Sequence, residues 1–304
     1  MLDQSDKPLL LDGGMGRELR ARGVDIMTSI WSANGLISAP QTVKQIHADF
    51  ISAGTDIITT NTYGIIRSNL AKEGIEDRYK DLNLLACDLA NQACQQADRP
   101  VLVAGSLPPL AGSFRPDLVG EIKKIAPLYQ EQADLLAPQV DLLLCETMSS
   151  ASEARAAAMA ACNTGKPVWV AWSLHEDQSG NLRSGESIQD AVDMISDLPV
   201  SGFLANCSSP ESITKAIPHL ATIGGALFGG YANAFEPIPE DWELDGSKDS
   251  DGLLNIRSDL DPEQYARHVA RWLQDGATVV GGCCGTGPAH IARLYQLIHK
   301  DNTS

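Results

Sequence analysis

The segment Thr278-Val279-Val280-Gly281-Gly282-Cys283-Cys284-Gly285-Thr286 decides how this chain is read. Its first half, Thr278–Gly282, is a short apolar run with no polar alternation, the signature of a parallel strand buried on both faces. Seven further runs of this kind lie upstream: Pro8–Asp12, Asp56–Thr60, Val101–Gly105, Asp141–Glu146, Val168–Leu174, Gly202–Asn206 and Ala226–Gly230. Helical spacing separates them. Leu118, Ile122, Ile125 and Leu128 form one apolar stripe, with Asp117 as the expected N-cap. Tyr265, Val269, Trp272 and Leu273 form another behind Asp261-Pro262, with Gly276 as the stop. A last helix starts near Gly287-Pro288 and carries Ile291, Leu294, Leu297 and Ile298. Eight strands alternating with helices predict an α/β fold, a (β/α)8 TIM barrel spanning residues 1–304 as a single domain. An open doubly wound sheet is the alternative, but Gly13-Gly14-Met15-Gly16 after the first strand is not its phosphate-binding pattern.

The second half of the opening segment carries the chemistry. Neighbouring side chains on a regular strand point to opposite faces. Cys283 and Cys284 therefore reach one ion only through an irregular backbone, which the flanking glycines permit. Cys207, in Asn206-Cys207-Ser208, follows the sixth strand and falls at the same end of a barrel. Three thiolates suit zinc and leave one tetrahedral position for a substrate, the pattern of a catalytic rather than a structural site. Asp12 closes the first strand and Glu146 the fourth; a carboxylate ending a buried strand is costly unless paired or used. Asn61-Thr62-Tyr63 and Asn233 also sit at strand ends, as turn residues or ligand contacts, and His175 ends the fifth strand. Cys87, Cys94, Cys145 and Cys162 lie on strand or helix patterns and read as core filler. Long connections at Gly13–Ile37 and Ala232–Ser258, the latter acidic with Trp242 inside it, leave the catalytic ends of their strands.

Composition narrows the class. The formal net charge of -16 argues against nucleic acid and anionic membranes as partners. Seven cysteines scattered through 304 residues are not a secreted disulfide scaffold. The polar start Met1-Leu2-Asp3-Gln4-Ser5-Asp6 does not read as a signal peptide, and no run of about 18 apolar residues reads as a membrane span. The expected setting is cytoplasmic, with small-molecule partners and an open oligomeric state.

Leu11-Asp12-Gly13-Gly14-Met15-Gly16, Asn61-Thr62-Tyr63, Glu146-Thr147, Asn206-Cys207 and Gly282-Cys283-Cys284-Gly285-Thr286 together resemble the homocysteine S-methyltransferase family, from about Leu9 to about Leu297. The resemblance implies a zinc-bearing barrel that methylates L-homocysteine to L-methionine. It implies Cys207, Cys283 and Cys284 as zinc ligands and Glu146 and Asp12 on the substrate amino group. Gly13 and Gly14 would receive the substrate carboxylate through their backbone N–H groups, with Asn206 as a further substrate contact. The compact chain is similar to the branch that uses S-methylmethionine, or S-adenosylmethionine as a poorer donor. Two departures from many relatives lie near the mouth: Gly64, and Gly287-Pro288-Ala289-His290. Alternatives are a betaine- or other-donor thiol or selenol methyltransferase, a zinc hydrolase or lyase, and a non-enzymatic zinc-storing or redox-sensing barrel.

Overall fold

The computed structural model describes residues 7–224, 227–238 and 255–299. Eight parallel strands form one sheet: β1 (Leu9–Leu10), β2 (Ile57–Thr59), β3 (Leu102–Leu107), β4 (Leu142–Met148), β5 (Val168–Trp172), β6 (Val200–Asn206), β7 (Leu227–Ala232) and β8 (Val279–Gly282). From β2 to β8 each strand is bonded to its sequence neighbour, and β1 pairs with β8. A parallel bridge from Leu11 to Ile57 joins the first and second strands, which closes the ring. Asp56 N–H to the Leu10 carbonyl at 2.8 Å reinforces the seam. The expected (β/α)8 barrel is therefore observed, and every predicted strand overlaps an observed one.

Side-chain alternation sorts the sheet into two cores. Leu11, Ile57, Leu142, Leu144, Trp169, Leu204 and Val279 fill the barrel interior. Residues one step out of phase, such as Leu143, Cys145, Phe203 and Ala205, pack against the surrounding helices. The same parity carries Ser106, Glu146 and Tyr231 to the interior at the C-terminal ends of their strands, where barrel enzymes keep their chemistry. Among the described residues no helix is long and apolar enough to cross a membrane.

The helix Pro262–Gln274 is capped as expected, with the Asp261 side chain accepting from Gln264 N. The last helix runs Pro288–His299. The helix predicted from Leu118 differs. It spans Ile122–Leu136 with Glu121 at its N-cap. Asp117 is instead bound by Arg115 at 2.7–2.8 Å. Leu118 and Leu128 are exposed, and the buried face is Tyr129, Gln132, Ala133 and Leu136. A stripe of apolar residues was legible there, but the face was set by tertiary packing. The Gly13–Ile37 connection is also more ordered than its length implied. It holds the helix Met15–Ala21, a 3-10 turn Trp31–Ala33 and most of a short helix Asn34–Ser38. Trp242 and most of the Ala232–Ser258 connection lie outside the described residues.

One side chain ties the last strands together at the catalytic end. The buried Tyr265 hydroxyl donates to Gly281 O at 2.7 Å and accepts from Ala232 N at 2.9 Å. Ala232 O in turn accepts from Cys283 N at 2.8 Å. Tyr265→Phe strands a buried amide and a buried carbonyl, so it is expected to lower unfolding free energy by about 1–3 kcal/mol in urea titrations. A loss below about 0.5 kcal/mol would show that these backbone groups find other partners.

Candidate active site

Three irregular backbones build the mouth. After β8 the chain leaves the strand in a turn over Cys283–Thr286, closed by Thr286 N to Cys283 O at 3.1 Å. Gly285 occupies its left-handed position at φ +83°. This turn brings Cys283 and Cys284 to the same side, the irregularity that the sequence required. Cys207 leaves β6 at φ +45°, with its N–H on Tyr231 O at 3.1 Å. Thr147 sits at φ +62° inside a break in the β4–β5 register between Cys145 and Met148. Such conformations cost non-glycine residues about 1–3 kcal/mol and gather where function demands them. Trp31 and Phe114, also left-handed, line the same cavity with Thr147 and Cys207.

The three cysteine sulfurs lie within 4.8 Å of one another, and Cys207 Sγ to Cys284 Sγ is 4.0 Å. Two sulfurs on one tetrahedral zinc, each at about 2.3 Å, stand roughly 3.8 Å apart. The donor set thus fits zinc in both type and spacing. Thiol hydrogen bonds from Cys207 and Cys283 hold Cys284 well below the ordinary thiol range. Cys283 stays well above that range, first because of its hydrogen bond to Cys207. One thiolate stabilised by two thiols is a cluster already biased toward binding a cation.

Two carboxylates face the same cavity of about 110 Å³. Asp12 accepts from Thr59 N at 2.8 Å and from Thr59 Oγ1 at 3.1 Å. Glu146 accepts from Ser106 Oγ at 2.5 Å and from Tyr231 OH at 3.0 Å. Burial pushes both acids up to about 7, opposed by these hydrogen bonds. Each carboxylate is oriented yet short of a countercharge, the state that welcomes an ammonium group. Trp31, Tyr63, Phe114 and Phe235 supply aromatic walls.

The structure brings together Asp12, Gly13, Gly14, Glu146, Cys207, Cys283 and Cys284 around one cavity. Asn206 is not among its walls, and its expected contact with substrate is corrected. Its side chain accepts from Thr147 N and donates to Thr147 Oγ1, both at 2.9 Å, which pins the bulge beside Glu146. The reading of Gly14 is corrected too, because its N–H already donates to Thr286 O at 2.9 Å. A Cβ on Gly14 would meet Cys283 O at 2.7 Å, and one on Gly13 would meet Thr286 O at 2.5 Å. These glycines let the first strand end lie against the cysteine turn. Gly64 is demanded in the same way, since a side chain there would run into the Ile30 carbonyl. His290, the other departure, accepts from Gly287 N at 3.2 Å and braces the start of the last helix. His175 lies away from the cavity, in a turn with Asp177. Tyr63 lines the cavity and bonds Ser113 Oγ at 2.6 Å; the Asn61 amide donates to Ser32 O. Ser106, Tyr231, Thr59, Trp31 and Phe114 were missed. Ser106 fell one residue past a predicted strand end, and Trp31 and Phe114 carry no local signal.

A (β/α)8 barrel with three clustered cysteine sulfurs at the C-terminal ends of its strands is the framework of an enzyme acting on a thiol. The chain belongs to the homocysteine S-methyltransferase family, whose profile matches residues 9–298. It is 29% identical to the homocysteine S-methyltransferase of Escherichia coli over 97% of this chain and 96% of that protein. It is 26% identical to the selenocysteine methyltransferase of Astragalus bisulcatus over 98% of this chain and 94% of that one. The crystal structure of the E. coli homocysteine methyltransferase MmuM in its metallated form superposes with a TM-score of 0.81 at 28% identity, covering 97% of this chain and 98% of that chain. A metallated relative of this fold agrees with a metal-using family.

Burial sets a pH dependence. Asp12 and Glu146 move from 3.8 and 4.5 to about 7 on folding, so the native state binds more protons than the unfolded chain between about pH 4 and 7. Stability of the metal-free protein therefore falls as pH rises through that window. Glu146→Gln, neutral throughout, is expected to gain on the order of 1–3 kcal/mol relative to the parent between pH 5 and pH 8 in urea unfolding. An equal difference at both pH values would show that the carboxylate ionises without a burial penalty.

Proposed function

We propose that this chain transfers a methyl group from a sulfonium donor to the sulfur of L-homocysteine, giving L-methionine, with Zn²⁺ held by Cys207, Cys283 and Cys284. S-methylmethionine is the favoured donor and S-adenosylmethionine the poorer one. The observation that carries the reading is the convergence of three sulfurs and two buried carboxylates on one cavity. The chain acts as one barrel domain on small molecules, and its reduced thiols suit the cytoplasm.

Bound by the three cysteines, zinc supplies the Lewis acidity that keeps a substrate thiol deprotonated at neutral pH. The rest falls to the protein. Glu146, oriented by Ser106 and Tyr231, and Asp12, oriented by Thr59, take the substrate ammonium. That charge draws both acids toward their ionised forms. The backbone at Gly13 stays beside the substrate carboxylate, while Gly14 holds the cysteine turn. The aromatic walls exclude water and attract a sulfonium through cation–π contact. The substrate sulfur then forms a bond to the methyl carbon as the donor's carbon–sulfur bond breaks, and the donor leaves as a neutral thioether. Such a displacement needs alignment more than proton transfer, and the rigid walls supply it. No residue is required to act as a base on carbon, and among the described residues the cavity lining holds no histidine. The selenocysteine methyltransferase among the relatives makes a selenol acceptor the second reading.

Methionine formation is measured with S-methylmethionine, S-adenosylmethionine and betaine in parallel, with homocysteine or selenocysteine as acceptor, on enzyme of known zinc content. Cys284→Ala is expected to lose both metal and activity. Glu146→Ala is expected to keep zinc and lose about 100-fold or more in kcat/KM for homocysteine. Zinc retained with no affinity for homocysteine would overturn the proposal in favour of a hydrolase or lyase.

A further inference from the structure

A buried ion pair outside the sulfur cluster organises one wall of the cavity. Arg183 and Glu176 both lie in the connection after β5, and the Arg183 side chain is only 3% exposed. Their closest approach is 3.7 Å, and between them they hold the backbone of one residue of another loop. Arg183 Nη2 donates to Ile238 O at 2.9 Å, while the Glu176 carboxylate takes a backbone hydrogen bond from Ile238. The Arg183 guanidinium also stands 5.7 Å from the ring centroid of Phe114, in the connection after β3. Phe114, Phe235 and Ile238 form one apolar cluster with Cys207, against which Cys283 and Cys284 pack. Phe114 is held in the left-handed region at φ +63°. Three connections thus meet at this pair, and two of them carry the apolar wall that lies on the sulfurs.

We propose that Arg183 and Glu176 are positioning residues for methyl transfer, a clamp that sets Phe114 and Ile238 against the sulfur cluster and so shapes the donor side of the cavity. The donor-side assignment rests on the sulfonium reading above. A planar fork suits the task, because one guanidinium donates to a carbonyl and stacks on a ring at once, which an ammonium cannot do. The pairing with Glu176 also matters for a cationic donor. A lone arginine behind the wall would repel it, whereas a paired one gives geometry with little net charge. The consequence has a definite sign. Removing Arg183 leaves the Glu176 carboxylate without its cation, which on charge alone would not disfavour a sulfonium. Weaker donor use in that variant therefore reports lost positioning and not lost electrostatics.

The test uses full-length protein as purified, with its metal content measured, in the Arg183→Ala and Arg183→Lys forms. Donor KM is expected to rise about tenfold in both, with homocysteine KM within about twofold of the parent. Iodoacetamide labelling followed by peptide mass analysis is expected to show Cys207 reacting about tenfold faster, while Cys87, buried in the outer core, keeps its rate. If the alanine form does not fold, the lysine form carries the test, because it keeps the charge and loses the fork. The clamp is overturned if Cys207 labelling is unchanged, or if Cys87 accelerates with Cys207, which is general loosening. It is also overturned if the lysine form behaves as the parent, or if both substrates weaken equally. Should the parent transfer no methyl group from any sulfonium, the donor reading fails, and the labelling rates still decide whether the clamp exists.

Discussion

Everything at the mouth of this barrel depends on holding three cysteine sulfurs within 4.8 Å of one another. Sulfurs this close cannot all ionise without a cation, since like charges at such range repel strongly in a dry site. The protein meets the constraint with backbone and not with charge. A glycine-bearing turn swings Cys283 and Cys284 to one side, and a left-handed Cys207 meets them from β6. The first strand end presses on that turn through Gly13 and Gly14, where even a methyl group would collide with a carbonyl. Tyr265 locks the adjoining strand ends from behind.

The second layer of the site is the pair of buried acids. Each is fixed by side chains from other strands: Thr59 of β2 for Asp12, and for Glu146 Ser106 of the neighbouring β3 and Tyr231 of β7 from across the barrel. The barrel's alternation turns Ser106, Glu146 and Tyr231 inward without any local motif, and inside the barrel their side chains meet. Cation-seeking sulfurs and cation-seeking carboxylates then share one cavity with aromatic walls. An amino acid with a thiol satisfies both sets at once, and a sulfonium suits the rings.

Much of this was legible in the residues themselves. Parallel strands buried on both faces read as unbroken apolar runs, so β4 and β5 stood out, and with the barrel in place Asp12, Glu146 and the three cysteines fell at one end. What was not legible depends on register and packing. Ser106 and Tyr231 act through cross-strand contacts that no spacing announces. Asn206 lies next to Cys207 in the chain, yet its amide is spent on Thr147. Gly14 looked like a free donor until Thr286 claimed its N–H. The helix expected from Leu118 begins at Ile122, because the face that packs was chosen by neighbours and not by the apolar count.

The most direct test of the account is zinc K-edge X-ray absorption on the full-length protein, with and without L-homocysteine. Three sulfur neighbours at about 2.3 Å are expected, becoming four when homocysteine is added. Fewer than three sulfurs in the first shell, or a sulfur count that homocysteine leaves unchanged, would contradict it.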